Sequence, residues 1–346
     1  MSSTDAAAAK LSYDDVIFEA APCPLCQANA PGQPQLTGRD WTWRKRGDFN
    51  ICPCGDCGLM YTSPRPSPET MRYYYEDCYS GENAQKMRSF MLESPLSRMI
   101  SAYRVATIEK VKPLKPGDRV LDVGASYGAF IEYARTRRDI EAYAIDLDPG
   151  SIENFVNRED IDVRCGDLLD GHYPAGHFDV VTLFETLEHV YEPIEVLREV
   201  RRVLKPGGVV SLEVPSWDGL TRMVFGAYWL PLLLPTHLQH FSRRHLADCA
   251  KRAGLHPVHQ QAMWFPGEIV MSFGVVVAAM IGNPPEEARG PVRKVVDIVI
   301  GLLLLVLFVL VDVPIILILR LFGRSGHQTL IAARPMEDND DDDKTS

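Results

Sequence analysis

The sequence has no excess of basic residues. Its 346 residues include 36 lysines and arginines against 46 aspartates and glutamates, which gives a formal net charge of −10. About half of that charge belongs to an acidic run from Glu337 to Lys344, and the rest of the chain is nearly balanced. Nucleic-acid-binding domains usually carry a basic patch, so we do not expect nucleic acid as a partner. The acidic run is typical of a disordered tail, which we assign to residues 336–346.

The sequence also shows no secretory signal. Residues 1–10 are rich in serine and alanine, and no apolar segment follows them. We therefore interpret residues 1–20 as a flexible leader and expect the protein to be cytoplasmic. Cysteine is scarce too, with eight residues in the chain, and four of these form two C-x-x-C pairs. This use of cysteine argues against a disulfide framework.

The two cysteine pairs have the spacing of a metal site. Cys23 and Cys26 form the first pair, Cys54 and Cys57 form the second, and 27 residues lie between them. Two such turns can supply four thiolates to one tetrahedral Zn²⁺. We predict a structural zinc-binding module over residues 21–66, with Cys52 as a competing ligand and reduced, metal-free thiols as the alternative. A catalytic zinc is not expected, because four thiolates leave no open coordination position.

The main turn motif of the chain is not the dinucleotide fingerprint G-x-G-x-x-G. The sequence Val120-Leu121-Asp122-Val123 has the pattern of a buried parallel strand, and it leads into a turn with the order D-x-G-x-S-x-G. Such a turn lets a ligand lie against bare backbone and the N-terminus of the next helix. The motif resembles motif I of the class I S-adenosylmethionine (SAM) methyltransferases, usually D-x-G-x-G-x-G, with Ser126 in place of the middle glycine.

Further motifs resemble the same family, in the same order. Residues 142–146 predict a second strand that ends in Asp146, where a carboxylate can accept from both hydroxyls of a ribose; a helix cap before Pro149 is the alternative. F-D-x-V (178–181), E-H-V (188–190) and L-K-P-G-G (204–208) follow. The resemblance covers about residues 20–264 and 327–335, and it implies an α/β fold with a seven-stranded Rossmann-like sheet and SAM as the cofactor. It places cofactor contacts at Asp122, Gly124, Ala125, Ser126, Gly128, Asp146, Leu147, Asp167, Leu168, Phe184 and Glu185.

Methyl transfer to a hydroxyl also needs a group that removes the proton of the acceptor. His189 is the natural candidate, because histidine titrates near neutral pH and this one follows the fourth predicted strand. Glu185, Glu188 and His189 resemble the cluster of ubiquinone-type O-methyltransferases, with which a divalent ion has been associated, so metal assistance stays open. Alternatively, Glu188 and His189 only fix the helix start. His237 and His240, in an element that shapes the acceptor pocket in the family, are secondary candidates or ordinary buried histidines.

About sixty unusually apolar residues separate the last two predicted strands, 256–264 and 328–334. Asp312 and Pro314 interrupt them. The run at 298–311 would span about 21 Å as a helix, less than the ~30 Å hydrocarbon core of a bilayer. We therefore predict that residues 265–326 form an in-plane or re-entrant helical insert at the inner face of the membrane, as in a peripheral or monotopic protein. A surface for homo-oligomerisation and a cap over the pocket are the alternatives.

Together these patterns predict a SAM-dependent methyltransferase with its core at residues 67–264 and its last strand at 327–335. The cysteine module resembles a bacterial branch of the family that methylates sugars, polysaccharides and natural products. With the apolar insert, this favours O-methylation of a lipid-linked sugar or another hydrophobic acceptor, with membrane lipid as a partner. A quinone, isoprenoid or soluble sugar acceptor is the alternative, and a non-catalytic SAM-binding membrane scaffold is the rival hypothesis.

Overall fold

The structure, a computed structural model, describes residues 11–29, 31–75, 92–153, 160–281 and 306–336, with four single residues between these ranges. The first ten residues of the predicted leader, residues 337–346 of the predicted tail and residues 282–300 of the predicted insert lie outside the described residues.

The strands are, in chain order, β1 (Phe18–Glu19), β2 (Leu36–Arg39), β3 (Asp48–Pro53), β4 (Met60–Thr62), β5 (Arg65–Pro66), β6 (Arg119–Val123), β7 (Glu141–Asp146), β8 (Ile161–Cys165), β9 (Phe178–Phe184), β10 (Leu204–Pro215), β11 (Gln239–His240), β12 (His256–Met263) and β13 (His327–Ala333). The α-helices are α1 (Arg72–Tyr75), α2 (Pro95–Glu109), α3 (Ala129–Arg138), α4 (Pro149–Glu153), α5 (Pro193–Val203), α6 (Leu220–Phe225), α7 (Arg243–Arg252), α8 (Glu268–Ile281) and α9 (Val313–Leu321).

The central sheet contains seven strands in the order β12-β13-β10-β9-β6-β7-β8. The five strands from β10 to β8 run parallel, whereas β13 is antiparallel to both β10 and β12. The central strand β9 is buried along almost its whole length, as a parallel strand covered on both faces requires. The predicted seven-stranded sheet is confirmed. Its parallel strands bring the segments that follow them to one edge, where sheets of this kind bind ligands.

Helices cover both faces of this sheet. On one face, Ile131 of α3 packs in a buried cluster that includes Val120 of β6. On the other face, Leu197 of α5 belongs to a second cluster with Leu121. Val120 and Leu121 are neighbours in one strand, and their side chains point to opposite faces because side chains alternate along a strand. The strand therefore has to be apolar on both sides.

A second, antiparallel sheet has the order β11-β4-β3-β2. Three of its strands come from the predicted zinc module, but β11 comes from the segment just before α7. β11 pairs with β4 through Gln239 opposite Tyr61 and His240 opposite Met60. The backbone N–H of Thr62 also donates to the Leu238 carbonyl at 2.8 Å. The N-terminal module and the core domain therefore share one sheet.

The described part of the insert consists of α8, a π-helical turn (Phe308–Asp312) and α9. The buried carboxylate of Asp312 accepts hydrogen bonds from the backbone N–H groups of Gly267 (2.7 Å), Ile269 (2.7 Å) and Val270 (3.1 Å). It therefore caps the N-terminus of α8 and ties the two apolar helices together. Among the described helices there is none whose length and hydropathy would suit a passage across a bilayer.

Candidate active site

The turn after β6 has an open, left-handed backbone. Gly124, Ser126 and Gly128 have φ values of 73°, 48° and 75°, a region that glycine adopts readily. A Cβ atom on Gly124 would lie 2.4 Å from Oγ1 of Thr186, and one on Gly128 would lie 2.5 Å from the ring of Phe155. Both positions therefore need glycine. Ser126 takes a conformation that the usual glycine of motif I would adopt at lower cost.

Asp146, at the end of β7, holds this turn in place. Its Oδ2 accepts a hydrogen bond from the N–H of Ser126 at 2.8 Å, and its Oδ1 accepts one from the N–H of Asp148 at 2.9 Å. Burial raises the pKa of Asp146, and these two backbone donors oppose the rise. Each carboxylate oxygen keeps a further lone pair, so Asp146 can still accept from a ribose, the role predicted for it.

Five further predicted cofactor residues lie in or after strands β6, β7 and β8, and some of them are buried while others are accessible. Asp122, Ala125 and Leu168 are buried, so their side chains support the turn from behind. Burial raises the pKa of Asp122 to about 7. Leu147 is 69% exposed at the strand edge, and Asp167 is half-buried. Of these five side chains, Leu147 and Asp167 are the two that a ligand can reach from solvent.

A buried ion pair that the sequence analysis missed lies beside Phe184. Nε of Arg104, on α2, lies 3.1 and 3.2 Å from the two carboxylate oxygens of Glu213, on β10. The guanidinium carbon of Arg104 lies 4.4 Å from the ring centroid of Phe184. Glu213 could have been noticed as an acid in a buried strand, but nothing in the sequence shows its partner. The pair joins α2 to the ligand-binding edge of β9 and β10.

Three of the four predicted catalytic residues, Glu188, His189 and His237, meet beyond β9. The rings of His189 and His237 pack edge to face with centroids 4.4 Å apart, and Nε2 of His237 lies 3.8 Å from Oε1 of Glu188. Both carboxylate oxygens of Glu188 and Nε2 of His237 are buried and have no hydrogen-bond partner among the described residues. His240 is not part of this cluster, because its Nε2 lies 3.4 Å from Oγ1 of Thr62 instead.

Burial sets the protonation of this cluster. It lowers the pKa of His189 to about 4 and that of His237 well below its usual value, and it raises the pKa of Glu188. Both histidines are therefore neutral at pH 7. Nδ1 of His189 lies 3.0 Å from the carbonyl oxygen of Thr236 and 2.8 Å from the hydroxyl oxygen of Tyr75. If Nδ1 carries the proton and donates it to this carbonyl, Nε2 is the nitrogen that can accept a proton.

The predicted zinc ligands come together. The four Sγ atoms lie within 4.8 Å of one another, with distances of 3.6 Å between Cys23 and Cys57 and 3.4 Å between Cys26 and Cys54. This donor set fits one tetrahedral Zn²⁺. The Sγ atom of Cys52, the competing ligand, lies 3.8 Å from the Ser63 carbonyl oxygen.

A second group with metal-ligand chemistry is the histidine cluster itself. Glu188, His189 and His237 each offer one ligand atom, and these atoms lie within 4.8 Å of one another. The unpartnered atoms of Glu188 and His237 fit a divalent ion. Glu185, which the family resemblance grouped with Glu188 and His189, acts electrostatically on both and also faces His327, with Oε2 3.6 Å from Nε2.

His327 is the main residue of this region that the sequence analysis missed. Its Nε2 faces Glu185, its Nδ1 lies 3.3 Å from Oε2 of Glu268, and its ring stacks on Phe265 with centroids 4.1 Å apart. Burial alone would lower the pKa of His327, but the carboxylates of Glu185 and Glu268 outweigh it and raise the pKa to about 10. His327 is therefore a buried cation between the site and the first residue of α8.

Comparison with known families agrees with this geometry. Residues 96–260 match a family model described as a methyltransferase domain. A ubiquinone biosynthesis O-methyltransferase of Xanthomonas campestris pv. campestris (strain B100) is 36% identical over 136 residues, which cover 36% of this chain and 56% of that relative. The 27-O-demethylrifamycin SV methyltransferase of Amycolatopsis mediterranei (strain S699) is 34% identical over 119 residues, covering 31% of this chain and 44% of that one. The matches thus span about half the length of these curated relatives.

Solved structures share the fold at low identity. A Haloferax volcanii complex between the Trm112 methyltransferase activator and a putative methyltransferase gives a TM-score of 0.50 at 16% identity, covering 77% of this chain and 98% of that chain. Phosphoethanolamine N-methyltransferase 2 of Haemonchus contortus, in complex with SAM, gives 0.51 at 15% identity, covering 78% and 62%. These structures show a shared fold, and the family model with the curated relatives confirms the resemblance to the class I SAM-dependent methyltransferases.

Proposed function

We propose that this chain, which carries a class I SAM-dependent methyltransferase domain, transfers a methyl group from SAM to a hydroxyl of a hydrophobic or lipid-linked acceptor at a membrane surface. A lipid-linked sugar is the leading acceptor. The observation that carries the proposal is the placement of two sets of residues at one sheet edge. The turn clamped by Asp146 follows β6 and β7, and the cluster of Glu188 and His189 follows the neighbouring strand β9.

The residues divide the work between binding and proton removal. Bound SAM supplies the activated methyl group. The turn at Gly124 and Gly128 admits the cofactor against bare backbone, and Asp146 accepts from its ribose. His189 accepts the proton of the acceptor through Nε2 when the hydroxyl is aligned with the methyl carbon. Because burial keeps His189 neutral, it is ready to act as a base at pH 7, though a weak one.

The surroundings of the site support the proposed acceptor class. Glu185 contacts His327, and His327 contacts Glu268 at the start of the apolar helix α8. An acceptor that approaches from this side meets apolar side chains. Two relatives are named for ubiquinone and for a rifamycin, so a quinone, an isoprenoid or a soluble sugar is the alternative. We place the protein at the inner face of the membrane, as a peripheral or monotopic protein.

The reaction is tested in two steps. Calorimetry with SAM measures cofactor binding in the wild type, in Asp146→Ala and in the control Asp170→Ala, which removes an exposed acid from the same edge of the sheet. Native membranes are then incubated with methyl-labelled SAM and the protein, and the labelled product is identified. We expect binding that is lost only in Asp146→Ala, and label in a lipid fraction. If SAM does not bind, the proposed function is wrong. If SAM binds but no extract accepts label, the non-catalytic scaffold is favoured.

Metal-assisted deprotonation is a second candidate mechanism, supported by the unpartnered buried atoms of Glu188 and His237. A divalent ion held there with His189 would lower the pKa of an acceptor hydroxyl bound to it. Equilibrium dialysis with Mn²⁺ separates the two mechanisms, because His237→Phe should weaken binding of this ion if the cluster is a metal site. The zinc module must stay loaded in both proteins. Equal Mn²⁺ binding by both would leave His189 as an unassisted base.

A further inference from the structure

One of the two most apolar helices of the described chain is also one of the least covered. α9 contains eight apolar residues and Arg320, yet within it only Ile316 is buried. The apolar side chains that are most exposed in and just after it are Ile315 (39%), Leu317 (42%), Ile318 (51%), Leu321 (82%) and Phe322 (77%). At about 100° per residue, these positions cover an arc of about 160°. A helix that is apolar nearly all round is normally buried in a core or in lipid.

Two neighbouring helices extend this surface. α8 exposes Met271 (41%), Phe273 (43%) and Met280 (80%), and α6 exposes Met223 (60%) and Val224 (70%). We call the exposed apolar faces of α6, α8 and α9 the insert platform. These ten exposed apolar side chains lie in or just after helices that contact one another directly or through the π-helical turn, unlike the single scattered hydrophobic residues of an ordinary surface.

The platform is anchored firmly to the core domain. Glu268, at the start of α8, accepts hydrogen bonds from the hydroxyl of Thr221 on α6 and from Nε1 of Trp229 (2.7 Å). The N–H of Leu220 donates to the Arg324 carbonyl at 2.9 Å, which joins the start of α6 to the segment that follows α9. A Cβ atom on Gly219 would lie 2.7 Å from Cα of Gly326, so the two backbones are in close contact there. The three helices are therefore held as one surface.

The charges of the platform have one sign. In residues 219–235, 265–281 and 306–326 the acids are Glu268 and Asp312, and both are fully buried as caps or ion-pair partners. The basic residues of the same ranges, Arg222, Arg320 and Arg324, are half-buried or exposed. Asp218, just before the first of these ranges, is half-buried and acts electrostatically on Arg222. An apolar surface with accessible basic groups, and with no accessible acid within these ranges, complements an anionic lipid interface.

We propose that the insert platform docks on the surface of an anionic lipid bilayer, with α9 immersed along its length at the level of the head groups. A bilayer can cover an arc of about 160° on a convex helix, whereas a second copy of this chain would need a matching groove. The proposal deepens the proposed function, on which it rests for the nature of the acceptor. Glu268 and His327 connect the platform to Glu185, so docking would place the site near the bilayer.

Vesicle co-sedimentation of the full chain tests this without any methyl transfer. The vesicles contain phosphatidylcholine alone or with phosphatidylglycerol. The test variant is the double substitution Leu321→Glu and Phe322→Glu. The control is Leu169→Glu, which adds one negative charge, against two in the test variant, at an exposed leucine (46%) just after β8, the edge strand at the other end of the sheet from β12. Calorimetry with SAM on each variant reports whether the cofactor side still folds.

We expect wild type and Leu169→Glu to sediment with the anionic vesicles, less with the neutral ones, and less as salt rises. The double variant should bind at least about tenfold more weakly and still bind SAM. The proposal is overturned if the wild type stays in the supernatant with both vesicles, or if both variants lose binding equally. It is also overturned if the wild type is a dimer that ignores vesicles and the double variant is a monomer. A failure of SAM binding in the wild type would count against the proposed function instead.

Discussion

The buried cation His327 should make the stability of the fold depend on pH in a specific window. In the folded chain the carboxylates of Glu185 and Glu268 raise the pKa of His327 from 6.5 to about 10, against the effect of burial. A raised pKa means that the folded state holds the proton more tightly than the unfolded chain. The resulting stabilisation is fully present below pH 6.5 and is lost as the pH rises through about 10.

The size of the effect follows from the same values. A rise from 6.5 to about 10 corresponds to about 5 kcal/mol in total, at ~1.36 kcal/mol for each pH unit. Equilibrium unfolding can be measured between pH 6 and pH 9. Over this range the contribution of His327 to the free energy of unfolding should fall by about 3 kcal/mol. That is a large part of the 5–15 kcal/mol that typically separates folded from unfolded domains.

The assay is urea unfolding of the wild type and of His327→Gln at pH 6 and pH 9, with the exposed His256→Gln as the control. His327→Gln keeps a polar side chain but cannot carry charge. The difference in unfolding free energy between wild type and His327→Gln should shrink by about 3 kcal/mol between the two pH values, whereas the His256→Gln difference should stay constant. Parallel curves for wild type and His327→Gln would refute the assignment of a buried imidazolium.

Three further outcomes test other parts of the structure. Gly124→Ala combines a positive φ with a Cβ atom 2.4 Å from Thr186, so SAM affinity measured by calorimetry should fall by about tenfold or more. Cys57→Ser should reduce bound zinc, measured by elemental analysis, and lower the melting temperature, whereas Cys165→Ser, at an exposed cysteine, should change neither. His189→Gln should keep SAM binding and slow methyl transfer by about 10²–10⁴-fold; an equal loss of SAM affinity would place His189 in cofactor binding.

The sequence was sufficient for the parts of the fold that depend on local pattern. The order of motifs resembled that of the SAM-dependent methyltransferases, and the seven-stranded sheet that this resemblance implied is present. Gly124 and Gly128 stood out because turns with positive φ select glycine. The four cysteines stood out by spacing, because each pair is a local turn.

Residues whose roles depend on distant contacts could not be recognised in this way. His327 and Glu268 are 59 positions apart and meet only because β13 inserts between β10 and β12. Asp312 looked like an interruption of an apolar helix. In the fold it accepts three backbone hydrogen bonds from the start of α8. An acid is therefore needed at a position where the apolar pattern alone predicts an apolar residue. A side chain that caps a different helix does not follow the hydrophobic periodicity of the segment in which it lies, so that periodicity cannot reveal its role.

The shared sheet explains why the two halves of the site have different supports. The cofactor turn is held by the central sheet through Asp146. The segment that carries His237 is held by the small sheet instead, since Oγ1 of Thr62 on β4 donates to the His237 carbonyl at 3.0 Å. The turn that carries Cys54 and Cys57, just before β4, is held by His245, whose Nε2 lies 3.0 Å from the Cys57 carbonyl oxygen. We therefore expect changes at the four cysteines to affect the acceptor side, through β4 and β11, more than the turn after β6, which Asp146 holds.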